Sequence, residues 1–205
     1  MRRALFAAVA AFALALPAAE AARATLRAAR PGGATPLELR ANSTAEHWVI
    51  DVLEGGVPSQ RIEVQTDLPD VAPDLGDANG DGAADLWIPV IGGNANTAWD
   101  LWIMDPAHAR FRRAGEISGL SFSRDSRGRL VSLGRDGCCA VSYTFHDITP
   151  DGRLRELFGV ERRLDDLGRG SCEPSEIAIT PPADAVTALC RLRPGAMPGT
   201  TLRVP

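Results

Sequence analysis

The feature that most constrains the fold is a recurring pattern of short apolar segments separated by turn residues. From about residue 36 onward, these segments are bounded by Gly, Pro, Asn and Asp, and helical periodicity is weak. Gly55–Pro58 has the composition of a hairpin turn between two of them. Such a pattern predicts one all-β domain over residues 36–205, made of short antiparallel strands in a sandwich or propeller-like arrangement with little helix. The predicted strands cover residues 47–53, 61–65, 86–91, 98–104, 110–114, 129–133, 140–145 and 153–158.

The N-terminus has the layout of a secretory signal. Arg2 and Arg3 precede an apolar run, Ala4–Leu16, and small residues follow at the two positions that a signal peptidase recognises. The run is shorter than the roughly 20 apolar residues that span a bilayer. We therefore predict a signal peptide over residues 1–21, cleavage after Ala21, and a periplasmic or secreted protein. The absence of a Cys near the cleavage site predicts no membrane anchor, and Ala-, Arg- and Gly-rich residues 22–35 predict a flexible mature N-terminus.

The charge balance excludes one class of partner. The chain carries 22 basic and 26 acidic residues, a formal net charge of −4. A mildly acidic protein with dispersed Arg lacks the basic surface that nucleic-acid binding requires. No nucleic-acid partner is therefore expected.

Residues 77–85, Asp-Ala-Asn-Gly-Asp-Gly-Ala-Ala-Asp, have the spacing of a calcium-binding loop. Oxygen-bearing side chains occupy alternate positions, a glycine follows where the chain turns, and another acid closes the loop. Ca²⁺ takes about six to eight oxygen ligands in flexible geometry. Ile88 stands where an EF-hand has its last ligand, and an apolar strand follows, so we predict a loop-then-strand site. An ordinary acidic turn is the alternative. The predicted ligands are the side chains of Asp77, Asn79, Asp81 and Asp85 and the carbonyl of Ala83.

The four cysteines permit three pairwise connectivities. They are Cys138, Cys139, Cys172 and Cys190, all in the part expected to be exported, where disulfides persist. Cys172 and Cys190 flank a Pro-rich segment and form the favoured pair. Cys138 and Cys139 would then be a strained vicinal pair or two free thiols. Without a CxxC spacing, a zinc site is not indicated.

The order of motifs after the calcium loop resembles a family of exported bacterial β-proteins. In that family a D-x-N-x-D-G-x-x-D-L loop leads into a strand, a Gly/Asn-rich turn and an aromatic strand. The similarity covers roughly residues 74–160. The matching positions are Asp77–Leu86, Gly92–Asn94, Trp99, Trp102, Asp105-Pro106, Phe111, Leu130–Gly137, Tyr143–Phe145 and Asp151–Leu154.

This resemblance implies a calcium-binding, propeller-like protein. The best-understood members are periplasmic immunity proteins that inhibit lysozyme-like peptidoglycan hydrolases delivered by type IV secretion, and the loop is also similar to those of FG-GAP and VCBS repeats. Known members are commonly lipoproteins, whereas this chain lacks a lipobox Cys and has one calcium loop, not an array. An inhibitor of this kind inserts a loop into the hydrolase cleft, and the candidate loops are Gly92–Thr97 and Ser171–Ala183.

The sequence gives little support for an enzyme. It contains no Gly-x-Ser-x-Gly elbow, HExxH pair, P-loop or dinucleotide fingerprint. The three histidines, His47, His108 and His146, are isolated along the chain, and Glu173 and Glu176 lie in a Pro-rich segment. We therefore expect no catalytic residues. A module that recognises glycan or protein through exposed tryptophans is the alternative, and an uncharacterised hydrolase is the second.

Overall fold

The computed structural model describes residues 22–164 and 170–202. The predicted signal peptide, residues 1–21, lies outside the described residues. Within the described ranges the chain forms three antiparallel sheets and one short α-helix, which confirms the all-β prediction. All eight predicted strands are present; seven start within one residue of the predicted start, and the strand predicted over residues 61–65 starts four residues earlier, at Val57.

The first sheet is a meander of four strands in chain order. Its last two strands are joined at Gly55 and Gly56, whose φ angles of 58° and 85° lie in the left-handed region. Glycine adopts this region without the steric cost of a Cβ, and the predicted hairpin turn is confirmed. The strands are β1 (Arg23–Ala28), β2 (Leu37–Ser43), β3 (His47–Glu54) and β4 (Val57–Gln65).

The second sheet repeats the meander and is buried on both faces. Its second strand buries six successive residues, as expected for a continuous apolar run. Pro89 lies within this inner strand, where it cannot donate to the ladder, and the pairing shifts register directly after it. The strands are β5 (Asp74–Gly76), β6 (Asp85–Gly92), β7 (Thr97–Asp105) and β8 (Arg110–Gly119).

The third sheet has six strands, five of them in a meander, with a short C-terminal strand added beside β9. A helix of eight residues follows the fifth strand. Among the described residues, no helix is long and apolar enough to cross a bilayer. The elements are β9 (Ser121–Arg124), β10 (Leu130–Asp136), β11 (Ala140–Ile148), β12 (Leu154–Leu164), β13 (Gly170–Glu176), α1 (Ala183–Cys190) and β14 (Thr200–Thr201).

Three apolar clusters hold the layers together. The first joins the inner face of the first sheet to one face of the second, with Ile50 and Ile88 both fully buried. The second joins the opposite face of the second sheet to the third, where the rings of Trp87 and Phe122 lie 4.9 Å apart. The third packs α1 on the outer face of the third sheet. The second sheet is therefore the central layer, and its burial on both sides follows from this position.

Among the described residues, six strands were not predicted from the sequence (β1, β2, β5, β9, β13 and β14), and two of them fall in segments for which the sequence predicted irregular structure. Residues 22–35, predicted to be flexible, include β1, which pairs with β2 over six residues. Its inward residues are largely alanine, so the apolar alternation is too weak to recognise. Ser171–Ala183, predicted as a loop, begins with β13, an edge strand that contains Pro174. Proline is tolerated at a sheet edge, and therefore its presence does not exclude a strand.

Candidate calcium-binding loop

The predicted calcium loop connects β5 to β6. Gly76 and Asp85 pair in register and close the loop at its base. Gly80 and Gly82 both have a φ of 82°, which non-glycine residues rarely adopt. These two glycines allow the chain to turn twice within a few residues, and the intervening side chains lie close to the loop backbone.

The polar side chains of the loop accept hydrogen bonds from its own backbone. The Gly80 N–H donates to Asp77 Oδ1 at 2.6 Å, and the Gly82 N–H donates to Asp77 Oδ2 at 3.1 Å. Asn79 Oδ1 accepts from the Asp81 N–H at 3.0 Å, and Asp81 Oδ1 accepts from the Ala83 N–H at 2.7 Å. The loop conformation is therefore specified by the same side chains that were predicted to bind calcium.

Asp85 links the loop to the central sheet. Its side chain is fully buried, and its two oxygens accept hydrogen bonds from the Ala78 N–H at 2.7 Å and the Met104 N–H at 2.9 Å. Burial raises the pKa of Asp85 to about 7; the two backbone hydrogen bonds oppose this rise, and the nearby carboxylates of Asp81 and Asp77 add to it. The ionised form of Asp85 is thus disfavoured, and a positive charge beside it would stabilise it.

Arg124 of β9 brings the third sheet to the loop. Its guanidinium Nη1 lies 3.5 Å from Asp77 Oδ1. The side chain also covers Gly80, where a Cβ would lie 2.1 Å from the same nitrogen. Gly80 is therefore needed both for its backbone angle and for this close approach. Sequence reasoning missed Arg124, because 47 positions separate it from Asp77 and no local spacing relates them.

The donor set fits a hard divalent cation. Three carboxylates and an amide oxygen lie within nine residues, and carboxylate and amide oxygens are ligands that Ca²⁺ takes. The buried Asp85, with two acids nearby, is the kind of group that a cation stabilises. In the described ranges, no three His, Cys, Asp or Glu side chains are already gathered around a common point as metal ligands. The loop therefore fits a cation through the chemical type of its donor atoms, and not through a ligand geometry that is already formed.

A cavity of about 430 Å³ borders the loop. Asp81 stands on one side, Met104 and Ile148 supply apolar surface, and Asp105 and Asp151 add two further acids. Asp105 contacts His108 Nδ1 at 2.8 Å and Arg112 Nη2 at 2.6 Å. Desolvation acts to raise the pKa of Asp105, but the hydrogen bonds from His108 and the charges of His108 and Arg112 together outweigh it, so the pKa lies below its ordinary value. The loop therefore forms part of a concave, acidic surface.

Comparison with known proteins identifies no family. No family model matches the chain, and no curated protein matches it. Among solved structures the chain is similar to one titled "Structure of a Xanthomonas Type IV Secretion System related protein", with a TM-score of 0.47 and 14% sequence identity. The aligned region covers 78% of this chain and 98% of that chain.

The histidines have three different surroundings. His47 begins β3 and is exposed, and His108 is an exposed partner of Asp105. His146 is buried, with Nε2 3.1 Å from Ser132 Oγ, and burial lowers its pKa to about 4. Glu173 and Glu176 are both exposed on β13, at the edge of the third sheet.

Most of the tryptophan surface is inside the protein. Trp48, Trp87 and Trp99 are at most 2% exposed, and Trp102 is half-buried. Trp99 and Trp102 belong to different core clusters on opposite faces of β7, as their three-residue spacing predicts. The exposed tryptophan cluster that would favour glycan recognition is not found among the described residues.

The two candidate inserting loops differ in how they are held. In Gly92–Thr97, the side chain of Asn96 donates to the Arg135 carbonyl at 3.1 Å and accepts from the Arg135 N–H at 2.9 Å. This pair of bonds fastens the β6–β7 hairpin to the end of β10. In the second candidate, β13 ends at Glu176, so only residues 177–182 remain outside regular structure before α1.

The favoured disulfide is present. Cys172 and Cys190 are bonded, with Cα atoms 5.9 Å apart and a sequence separation of 18. The bond joins β13 to the end of α1. Cys138 and Cys139 are free and exposed, which decides between the two alternatives left by the sequence. A disulfide of this kind favours an oxidising compartment, in agreement with an exported protein.

Proposed function

We propose that the mature chain is an exported calcium-binding protein that acts by binding another protein and has no catalytic activity of its own. The observation that carries the calcium part is Asp85, a fully buried carboxylate with two further acids nearby. Asp77, Asn79, Asp81 and Asp85 would supply side-chain oxygens, and Ala83 would supply its carbonyl. The cation would contribute the positive charge that these acids require.

The role of the ion in this proposal is structural. Asp85 bonds the backbone of both the loop and β7, and Asp77 contacts Arg124 of β9. Loop 77–85 therefore lies where the second and third sheets meet. Without a cation, mutual repulsion of the three acids opposes this arrangement, so calcium binding is expected to favour the folded state.

The proposed target is a lysozyme-like peptidoglycan hydrolase in the periplasm or the medium. This part rests on the order of sequence motifs and on a surface suited to protein contact. Ile177 and Ile179 are 50% and 39% exposed in the segment that follows β13. Exposed apolar side chains grouped in one segment are typical of interaction sites. We propose that this segment, together with the hairpin 92–97, enters the hydrolase cleft.

An inhibition assay tests this function. The purified mature chain, with millimolar calcium, is added to a panel of lysozyme-like hydrolases, and the clearing of a peptidoglycan suspension is followed. At least one hydrolase is expected to be inhibited. Ile177→Asp/Ile179→Asp should reduce inhibition at least tenfold, corresponding to about 1.4 kcal/mol of binding free energy, while the melting temperature is retained.

A matched control uses another exposed apolar residue. Val57, 68% exposed on the β3–β4 hairpin, lies outside both candidate loops, and Val57→Asp should inhibit as well as the wild type. The proposed target is wrong if no hydrolase is inhibited and none is enriched when the chain is used as bait in periplasm or spent medium. If the double variant inhibits as strongly as the wild type, the hydrolase is still the target, but the segment that contains Ile177 and Ile179 is not the part that binds it.

A further inference from the structure

A cleft of about 550 Å³ lies between β4, the edge strand of the first sheet, and the β7–β8 part of the second sheet. Contacts between the sheets close it at both ends. At one end the Gln60 amide donates to the Phe111 carbonyl at 2.8 Å and accepts from the Phe111 N–H at 2.9 Å. At the other end Thr66 Oγ1 donates to the Pro89 carbonyl at 2.8 Å. The cleft is therefore fixed by the packing of the two sheets, and its volume is typical of small-ligand sites, which span about 300–1,000 Å³.

The lining of the cleft carries an excess of negative charge. It contains four acids and one arginine, a formal net charge of −3. Arg113 pairs with one of these acids, Asp100, and Glu63 pairs with an exposed arginine of its own strand. The remaining two, Asp67 and Glu116, have no ion-pair partner among the described residues. A cleft that is lined by one sign of charge and has low-dielectric walls concentrates ligands of the opposite sign.

Asp100 places a buried carboxylate at this cleft. The residue is 3% exposed, and its Oδ2 accepts a hydrogen bond from the Trp102 indole N–H at 3.0 Å. Its Oδ1 lies 2.7 Å from Arg113 Nε, yet no described donor is oriented to give this buried oxygen a hydrogen bond. Buried acceptors are nearly always hydrogen-bonded, and leaving one without a donor costs free energy. The cleft therefore lacks an N–H donor as well as positive charge.

Apolar groups line the same cleft. Val64 of β4 and Val90 and Ile91 of β6 border it, together with Trp102, which is half-buried and held in place by its bond to Asp100. An indole ring attracts a cation that lies over its face, and aliphatic surface accepts the methylene stem of a long basic group. The lining therefore suits a positive group on an aliphatic stem, and it does not suit an anion.

We propose that this cleft binds a guanidinium or ammonium group that is carried on an aliphatic chain. The charged end donates hydrogen bonds to the carboxylates of Asp67 and Glu116 and adds positive charge beside Asp100. The aliphatic chain packs on Ile91 and Trp102. A free polyamine and a basic side chain of another protein share this chemistry. The proposal requires neither calcium nor a hydrolase.

Acrylamide quenching of tryptophan fluorescence tests the proposal. Trp102 is half-buried and the other three tryptophans are at most 2% exposed, so the quenching reports mainly on Trp102. The folded mature protein is titrated at low ionic strength with spermidine, with acetyl-Gly-Arg-Gly-amide, and with the same peptide containing citrulline, which has the shape of arginine without its charge. Spermidine, the arginine peptide or both should protect Trp102, and the citrulline peptide should not. The tighter of the two cationic ligands identifies the source of the group.

Variants of the two acids without ion-pair partners locate the binding. Glu116→Gln and Asp67→Asn should each weaken binding of the cationic ligand by about fivefold, as expected for the loss of one partly exposed charge pair. Glu173→Gln, an exposed acid on the third sheet, is the matched control and should bind as tightly as the wild type. All three substitutions replace exposed side chains by amides of the same shape, so the melting temperature should be unchanged.

Three results would overturn the proposal. Neither cationic ligand could protect Trp102, or the citrulline peptide could bind as tightly as the arginine peptide. The double variant Asp67→Asn/Glu116→Gln, with an unchanged melting temperature, could also bind the cationic ligand as tightly as the wild type.

Discussion

At the scale of single residues, Asp85 has the largest consequence for the chemistry of the loop. A buried carboxylate is costly when ionised, and here the cost is increased by two neighbouring acids. Its two carboxylate oxygens accept hydrogen bonds from two backbone N–H groups, and these bonds fix its position between the loop and β7. The residue thus makes the loop sensitive both to protons and to cations, because each relieves the same excess of negative charge.

A pH dependence follows from this residue. In EDTA the folded-state pKa of Asp85, about 7, lies above its ordinary value of 3.8, so the folded state holds the proton more tightly than the unfolded state. Asp85 therefore contributes stability that is present below about pH 4 and is lost as the pH rises through about 7. Calcium binds the ionised carboxylate and should offset this loss. We expect calcium to raise the melting temperature several-fold more at about pH 8 than at about pH 5.

Comparing melting temperatures with and without calcium at each pH removes the effect of His146. Its pKa, lowered to about 4 by burial, lies below the ordinary 6.5, so its contribution to stability is lost as the pH falls from about 6.5 to about 4. That loss occurs with and without calcium and cancels in the difference. An equal calcium effect at both pH values would contradict the assignment of Asp85 as a ligand.

At the scale of elements, β6 is the strand on which the layers depend most. It is buried on both faces. The ring of Trp87 packs against Phe122 of the third sheet, while the Trp87 indole N–H donates to the Gly76 carbonyl of the neighbouring strand β5 at 3.1 Å. Trp87→Ala should lower the free energy of unfolding by about 3–5 kcal/mol, because it leaves a large cavity and an unpaired carbonyl. Urea unfolding measures the change.

A residue on the same strand provides the control for Trp87. Ile91 is 51% exposed near the end of β6, and Ile91→Ala should change the free energy of unfolding by less than about 0.5 kcal/mol. Similar losses for both substitutions would show that β6 is not buried between two sheets.

The second element is α1, whose position depends on the Cys172–Cys190 disulfide. The helix has eight residues, and Pro182 at its N-cap supplies no side-chain hydrogen bond, so it is too short to be stable alone. Cys172–Cys190 joins its end to β13. Cys172→Ser/Cys190→Ser should lower the free energy of unfolding by about 3 kcal/mol and increase amide exchange in α1 before β10 and β11.

The exposed cysteine pair supplies the control for the disulfide. Cys138→Ser/Cys139→Ser also removes two thiols, but from a turn, and should leave the unfolding midpoint unchanged. If the Cys172/Cys190 double variant behaves in the same way, the disulfide does not hold α1 in place.

At the scale of the whole molecule, the sequence predicted what depends on local pattern. The eight strands were recognisable because their apolar segments are bounded by turn residues. The strand β13 was missed because Pro174 and exposed polar residues hide an edge strand, and α1 was missed because eight residues give too short a period. The loop ligands follow from spacing, but the contacts of Asp85 with Met104 and of Asp77 with Arg124 depend on how the sheets pack.

The central claim is that residues 77–85 bind calcium and that the bound ion stabilises the fold. The most direct measurement is thermal unfolding of the mature protein in EDTA and in millimolar calcium, beside Asp81→Ala. Asp81 is exposed, and Asp70→Ala, which removes an exposed acid outside the motif, is the matched control.

Calcium at about 100 times its dissociation constant contributes about 2.7 kcal/mol. For a domain of this size that raises the melting temperature by roughly 5–10 °C. The wild type and Asp70→Ala should show this rise, and Asp81→Ala should not. A wild type that does not respond to calcium, or an Asp81→Ala variant that responds as strongly as the wild type, would contradict the calcium site and the function built on it.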